Sequence, residues 1–184
     1  MKLILTFVII FFGLSKGYAA DNHHGHSKMM HGHHHDQHDE VNMPGLQGKD
    51  TTPKEVDDLK TIFQNHKKIS RTVKNIKNGI ETLTVSEDEK IRQSVVSHVS
   101  MMVTRMQQGK NPEVIIQSPT LTELFKYYKK INTEIELVNK GIKVIQTSND
   151  PKVINLLQKH AAEINDMVKR GMRSVHERMM KSQK

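Results

Sequence analysis

Histidine is concentrated near the start of the chain. Eight of its twelve histidines fall within residues 23–38, interspersed with glycine, aspartate and two methionines. Neutral imidazole is a common ligand of copper, zinc and nickel, and a neighbouring thioether shifts the preference toward Cu(I). The segment has no apolar periodicity, so we expect it to be disordered when free and to bind several metal ions. The candidate ligands are His23, His24, His26, Met29, Met30, His31, His33, His34, His35 and His38.

The stretch before these histidines has the pattern of a secretory signal peptide. Lys2 is followed by an apolar run over residues 3–14 and by a cleavage site with small residues at Gly17, Ala19 and Ala20. A run of twelve residues is too short for a membrane span, which needs about 20. We therefore expect an exported chain, periplasmic or secreted, with cleavage after residue 19 or residue 20. Cleavage after Ala20 would leave His23 third from the new terminus, where amine, amide and imidazole nitrogens suit square-planar Cu(II) or Ni(II).

The histidine-rich segment has a second interpretation. It would also fit an engineered tag or an inert polar linker, although a tag is usually an uninterrupted run of histidine. Residues 21–51 are therefore predicted to form a His/Met-rich disordered segment that ends in a Gly-containing linker.

Further candidate ligands lie on predicted helices. His98 and His160 each come seven residues after an apolar residue near the start of a helix, which places them on the apolar faces. If the chain holds two copies of one unit, equivalent histidines can meet, and share a metal ion or bind a haem from both sides. Met102 lies one turn beyond His98, and Met172 with His176 forms an i, i+4 pair. The alternative is that these residues are hydrogen-bonded or space-filling members of the core.

Composition argues against several classes of protein. The chain has no cysteine, which excludes disulfides, thiolate metal sites and a cysteine nucleophile. It has a formal net charge of +8, but export argues against a nucleic-acid partner. No second long apolar run follows the signal, so we expect no membrane contact after cleavage. Nucleophile-elbow, zinc-protease, phosphate-loop and dinucleotide motifs are missing, so we predict that the protein is not an enzyme.

The remainder of the chain repeats itself with an ungapped offset of 62 residues. Residues 62–109 and 124–171 share eleven identities, among them Gly79 with Gly141 and His98 with His160. A match of this kind indicates two copies of one supersecondary unit.

Each copy predicts a helix followed by a β-hairpin. Thr52 before Pro53 fits the N-terminus of a helix over about 53–66, and Ser118-Pro119 opens the equivalent helix, over about 119–128. The next segment of each copy is rich in Ile, Val and Thr and carries a glycine near its middle. We expect that glycine to lie in a hairpin turn that requires a positive φ.

A long helix is predicted after each hairpin. Ser86 and Glu89 fit a capping box in copy one, and Asp150-Pro151 fits a helix start in copy two. The predicted fold is α+β: two tandem helix–β-hairpin–long-helix repeats that form a four-stranded antiparallel sheet covered by helices. The domain boundaries are a signal over 1–20, the His-rich segment over 21–51, and one folded domain over 52–184, with repeats at about 52–110 and 118–184. The alternative is an all-α four-helix bundle.

The second copy resembles an uncharacterised family of exported bacterial proteins. The resemblance is carried by T-S-x-D-P at residues 147–151, His160-Ala161, and G-M-x-x-x-H at residues 171–176, with the MPGL sequence at residues 43–46 in support. It implies export and the two-copy architecture, and it brings no established activity. The His-rich segment lies outside the resemblance.

These observations leave three functional hypotheses open. The first is an exported, soluble metal-binding protein that acts in buffering, resistance or delivery, with copper as the preferred metal, followed by zinc or nickel. The second is a haem-linked or redox accessory protein. The third is a non-metal interaction module that binds a periplasmic protein partner.

Overall fold

The computed structural model describes residues 44–182. The predicted signal peptide and residues 21–43 of the His-rich segment lie outside the described residues. Of residues 44–51, which the sequence assigned to a linker, Leu46 has no exposed surface and packs with Phe63, Ile116 and Met167. The packed part of the chain therefore begins before position 52.

The first copy contains two helices and a hairpin. Helix α1 spans Pro53–Gln64, strands β1 and β2 span Ser70–Ile76 and Gly79–Val85, and helix α2 spans Glu89–Gln108. Thr52 and Glu55 form a capping box at α1. The cap of α2 is Asp88 rather than the predicted Ser86. The Ser86 hydroxyl donates to the Lys68 carbonyl instead, at 2.9 Å.

The second copy repeats this order. Helix α3 spans Pro119–Phe125, strands β3 and β4 span Asn132–Val138 and Gly141–Thr147, and helix α4 spans Pro151–Arg170. Every strand and long helix begins 62 residues after its counterpart, which agrees with the predicted repeat. A separate helix α5, Met172–Ser182, follows a break at Gly171, where φ is 55°.

The four strands form one antiparallel sheet in the order β1-β2-β4-β3. This confirms the predicted α+β fold and excludes the four-helix bundle. Strands β2 and β4 pair at the centre, and Thr82 lies opposite Val144. These two residues are also equivalent positions of the repeat, so a pseudo-two-fold axis passes between them.

The long helices cover one face of the sheet and exchange partners across this axis. Helix α2 of copy one packs mainly on β4 of copy two, and α4 of copy two packs on β2 of copy one. Alternate residues of the central strands are buried beneath them, including Ile80, Thr82, Ile142 and Val144. Each copy therefore completes the core of the other.

The glycine that occurs at the equivalent position of both hairpins is required for a different reason from the one predicted. The turns consist of residues 77–78 and 139–140, and Gly79 and Gly141 are the first residues of their strands. Neither has a positive φ. A Cβ atom at Gly79 would lie 1.9 Å from the Gln146 carbonyl oxygen, and one at Gly141 would lie 2.0 Å from that of Thr84. The glycines are required because the central strands approach closely there.

Among residues 44–182, no helix has the length and apolar character needed to cross a bilayer.

Candidate functional site

A cavity of about 220 Å³ lies on the pseudo-two-fold axis, between the covered face of the sheet and the helices. We call it the axial cavity. Its wall includes residues from both copies at equivalent positions. These pairs are Ile80 and Ile142, Thr82 and Val144, Thr84 and Gln146, His98 and His160, Val99 and Ala161, and Met102 and Ile164.

His98 on α2 and His160 on α4 both line this cavity, as the repeat and the helical spacing suggested. Burial lowers the pKa of His98 to about 4, and the nearby carboxylates of Asp58 and Glu55 offset only part of that shift. His98 is therefore neutral at physiological pH. Among residues 44–182, its ring makes no hydrogen bond to another residue.

His160 is oriented by the start of α3. Its Nδ1 lies 3.0 Å from the hydroxyl oxygen of Ser118, which caps α3 by accepting a hydrogen bond from the Leu121 amide. Either the ring or the hydroxyl donates in this contact, which fixes the orientation of the imidazole beside the cavity.

Methionine side chains also line the axial cavity, and their thioether sulfur is a soft donor. Met102 lines it, as do Met106 and Met167, which are 5% and 7% exposed. Within residues 44–182, no group of three or more His, Asp and Glu side chains is placed to hold a metal ion. The donor set of the cavity therefore combines two imidazoles with thioether sulfur.

The predicted pair Met172 and His176 lies elsewhere. Met172 packs against the cluster that contains Leu46 and Phe63, while His176 is exposed on α5. Helix α5 is separated from α4 by the break at Gly171, so these residues do not reach the axial cavity.

His66 is partly buried and contacts the second copy. Its ring nitrogen Nδ1 lies 2.8 Å from the Val168 carbonyl oxygen, to which the protonated nitrogen donates. The ring also occupies the space above Gly171, since a Cβ atom there would lie 2.1 Å from it. The equivalent Tyr128 ring covers Gly109 in the same way. These contacts join the end of each long helix to the other copy.

The polar residues of the cavity break the symmetry. Arg105 donates from Nε to Glu55 Oε1 at 2.6 Å, and both side chains are 10% exposed. Hydrogen bonds from Arg105 outweigh the effect of burial and lower the pKa of Glu55 to about 2. In copy two the equivalent positions are Gln117 and Met167, which carry no charge.

Arg71 on β1 is a cation in the wall of the axial cavity. Its Nη1 donates to Asn165 Oδ1 at 2.5 Å and lies 3.5 Å from the Ala161 carbonyl oxygen. No carboxylate of the described chain forms an ion pair with it. Burial lowers the pKa of Arg71 to about 10, which leaves it charged at neutral pH.

Sequence reasoning missed Glu55, Arg105 and Arg71. A signal for Arg71 was present, because it alternates with Val73 on the strand and so lies on the covered face. The partner of Arg105 lies fifty positions away and has no local signature.

No family model, curated protein or solved structure matches the chain.

Proposed function

We propose that the protein is an exported metal-binding protein, and that it holds one copper ion, as Cu(I), in the axial cavity through His98, His160 and Met102. The observation that carries the proposal is that two equivalent imidazoles line one cavity on the pseudo-two-fold axis. The low pKa of His98, about 4, supports it, because a metal ion does not have to displace a proton from that ring at neutral pH.

The donor types favour Cu(I) over zinc or nickel. Thioether sulfur is a soft ligand that selects Cu(I), whereas zinc sites usually take three or four nitrogen, oxygen or thiolate donors. Nickel and Cu(II) prefer square-planar nitrogen and oxygen sets, which two imidazoles with methionine do not supply.

The His-rich segment, residues 21–40, has a separate part in the proposal. Its imidazoles would capture ions of several kinds with moderate affinity, and the axial cavity would retain one copper ion. Together they suit a protein that buffers copper, confers resistance to it or delivers it.

The size of the cavity argues against the haem hypothesis. At about 220 Å³ it is smaller than the pockets of about 300–1,000 Å³ that enclose drug-sized ligands, and a haem exceeds those ligands in size. The interaction hypothesis has one observation in its favour. Ile135 and Leu137 on edge strand β3 are 41% and 69% exposed, and such an edge is a common docking surface for another chain.

Titration against a chromophoric Cu(I) chelator tests the metal proposal. The mature protein, a variant lacking residues 21–40, and that variant with His98→Ala and His160→Ala would be compared. We expect several bound copper ions for the first, one for the second and none for the third.

Replacement of the exposed His176 by Ala in the shortened protein is the matched control and should leave the single copper bound. Circular dichroism checks that each variant remains folded. A shortened protein that binds no copper, or a folded His98/His160 variant that binds it unchanged, would refute the axial site.

A further inference from the structure

The charged side chains around the axial cavity include one more positive charge than negative charges. Glu55 is paired with Arg105, and Asp58 accepts hydrogen bonds from Lys54 and Ser97 at 2.5 and 2.6 Å. Arg71 has only neutral acceptors, the side chain of Asn165 and the carbonyl of Ala161. One positive charge in the wall therefore lacks a counter-charge.

The Arg71 guanidinium uses only part of its hydrogen-bonding capacity within the described chain. A guanidinium group has five N–H donors in a planar fork. Arg71 has two acceptors among residues 44–182, and both of them bond to Nη1. Among residues 44–182, no acceptor lies at Nε or Nη2. A carboxylate fits such a fork with two parallel hydrogen bonds and supplies the missing negative charge.

The rest of the wall suits a short apolar group. Ile80, Leu124 and Val144 line the cavity, together with Met102 and Met106. An engineered apolar cavity of about 150 Å³ can hold benzene, so about 220 Å³ has room for a chain or ring of similar size. Together the walls define a ligand with a compact apolar body and one negatively charged end.

We propose that the axial cavity binds a small monocarboxylic acid, with the carboxylate on Arg71 and the apolar body against the central strands. The inference does not depend on copper, because Arg71 lacks a counter-charge whether or not a metal ion occupies the histidines. It assigns Arg71 a role in ligand selection that the repeat does not predict, since its equivalent in copy two is Thr133.

Calorimetric titration of the metal-free mature protein with hexanoate, and separately with the neutral hexanamide, tests this proposal. We expect hexanoate to bind about tenfold more tightly or better, since the charge-assisted pair is lost with the amide. Arg71→Met should remove the preference, and Arg71→Lys should retain part of it. Lys74→Met, on the same strand but the opposite face of the sheet, is the matched control and should behave as the wild type.

Equal binding of the two ligands, no binding of hexanoate, or a preference that persists in folded Arg71→Met would overturn the proposal. Copper titration of the same Arg71→Met protein separates the two sites. Retained copper binding with a lost carboxylate preference is the expected result. Failure of the carboxylate site leaves the copper titration of the His98/His160 variants as an independent measurement.

Discussion

At the scale of single residues, the two copies carry different side chains at equivalent buried positions. Glu55 and Arg105 form a buried ion pair in copy one, where copy two has Gln117 and Met167. Arg105→Met leaves the Glu55 carboxylate buried without its partner, so we expect a loss of about 3 kcal/mol in the free energy of unfolding, measured by urea denaturation.

Copy two supplies the control for this variant. The double variant Glu55→Gln/Arg105→Met places the copy-two residues in copy one and removes both charges together. We expect it to recover most of the loss, since replacing a whole buried pair is often neutral. A double variant no more stable than Arg105→Met would contradict this explanation.

The lowered pKa of His98 predicts how the stability of the protein depends on pH. Its pKa is about 4 in the folded state against 6.5 for an ordinary histidine, so protonation favours unfolding. The contribution is complete above pH 6.5 and falls as the pH drops toward 4, by about 2 kcal/mol between pH 7 and pH 5. Urea denaturation across this range should show the decline, and His98→Gln should flatten it.

His176→Gln is the comparison for this experiment, because His176 is exposed. The decline should persist in this variant, because it comes from the lowered pKa of His98. An identical decline in wild type and His98→Gln would mean that another group is responsible.

The sequence identified some residues of the cavity and missed others. His98 and His160 were found because the repeat and the helical period place them at equivalent, inward positions. Arg71 was missed because an inward arginine on a strand becomes meaningful only when its neighbours are known to be neutral. Whether an imidazole has a hydrogen-bond partner likewise depends on contacts between distant elements.

Among the elements, the close approach of the central strands β2 and β4 restricts the choice of residue most strictly. A Cβ atom at Gly79 would lie 1.9 Å from a backbone oxygen of β4, and backbone cannot rotate away. We expect Gly79→Ala to lower the free energy of unfolding by more than about 2 kcal/mol, again measured by urea denaturation.

Asn78→Ala changes the adjacent turn residue, whose exposed side chain makes no such contact. It should cost less than about 0.5 kcal/mol. Comparable losses for the two variants would indicate that the turn, rather than strand contact, sets the requirement for glycine.

Sequence patterns predicted the elements better than their ends. Helices and hairpins follow from the caps, the β-branched runs and the apolar spacing, which are local signals. The role of Gly79 was predicted wrongly, because a close approach between β2 and β4 is not visible within one hairpin. The apolar spacing of α4 continues through Gly171, so the spacing alone does not reveal that α5 is a separate helix.

For the molecule as a whole, the exchange of helices between copies links the stability of each copy to the other. Helix α4 packs on β2, and α2 packs on β4. A fragment of residues 113–182 therefore loses the strand that α4 covers. We expect it to be unfolded as a monomer by circular dichroism, or to fold only as a dimer in which a second fragment supplies the missing strand.

Light scattering during size-exclusion chromatography distinguishes these states. A fragment that unfolds cooperatively while monomeric would show that a copy is an independent unit. The 62-residue repeat predicted the two-copy sheet, but it does not reveal which helix covers which hairpin, because either arrangement satisfies the same periodicity.

The proposal that copper binds in the axial cavity is tested most directly by X-ray absorption on the Cu(I)-loaded protein lacking residues 21–40. We predict one copper per chain, with imidazole nitrogen and thioether sulfur in its first shell and with that signal lost in the His98→Ala/His160→Ala variant. Copper coordinated by nitrogen and oxygen alone, or no stoichiometric copper, would contradict the proposal.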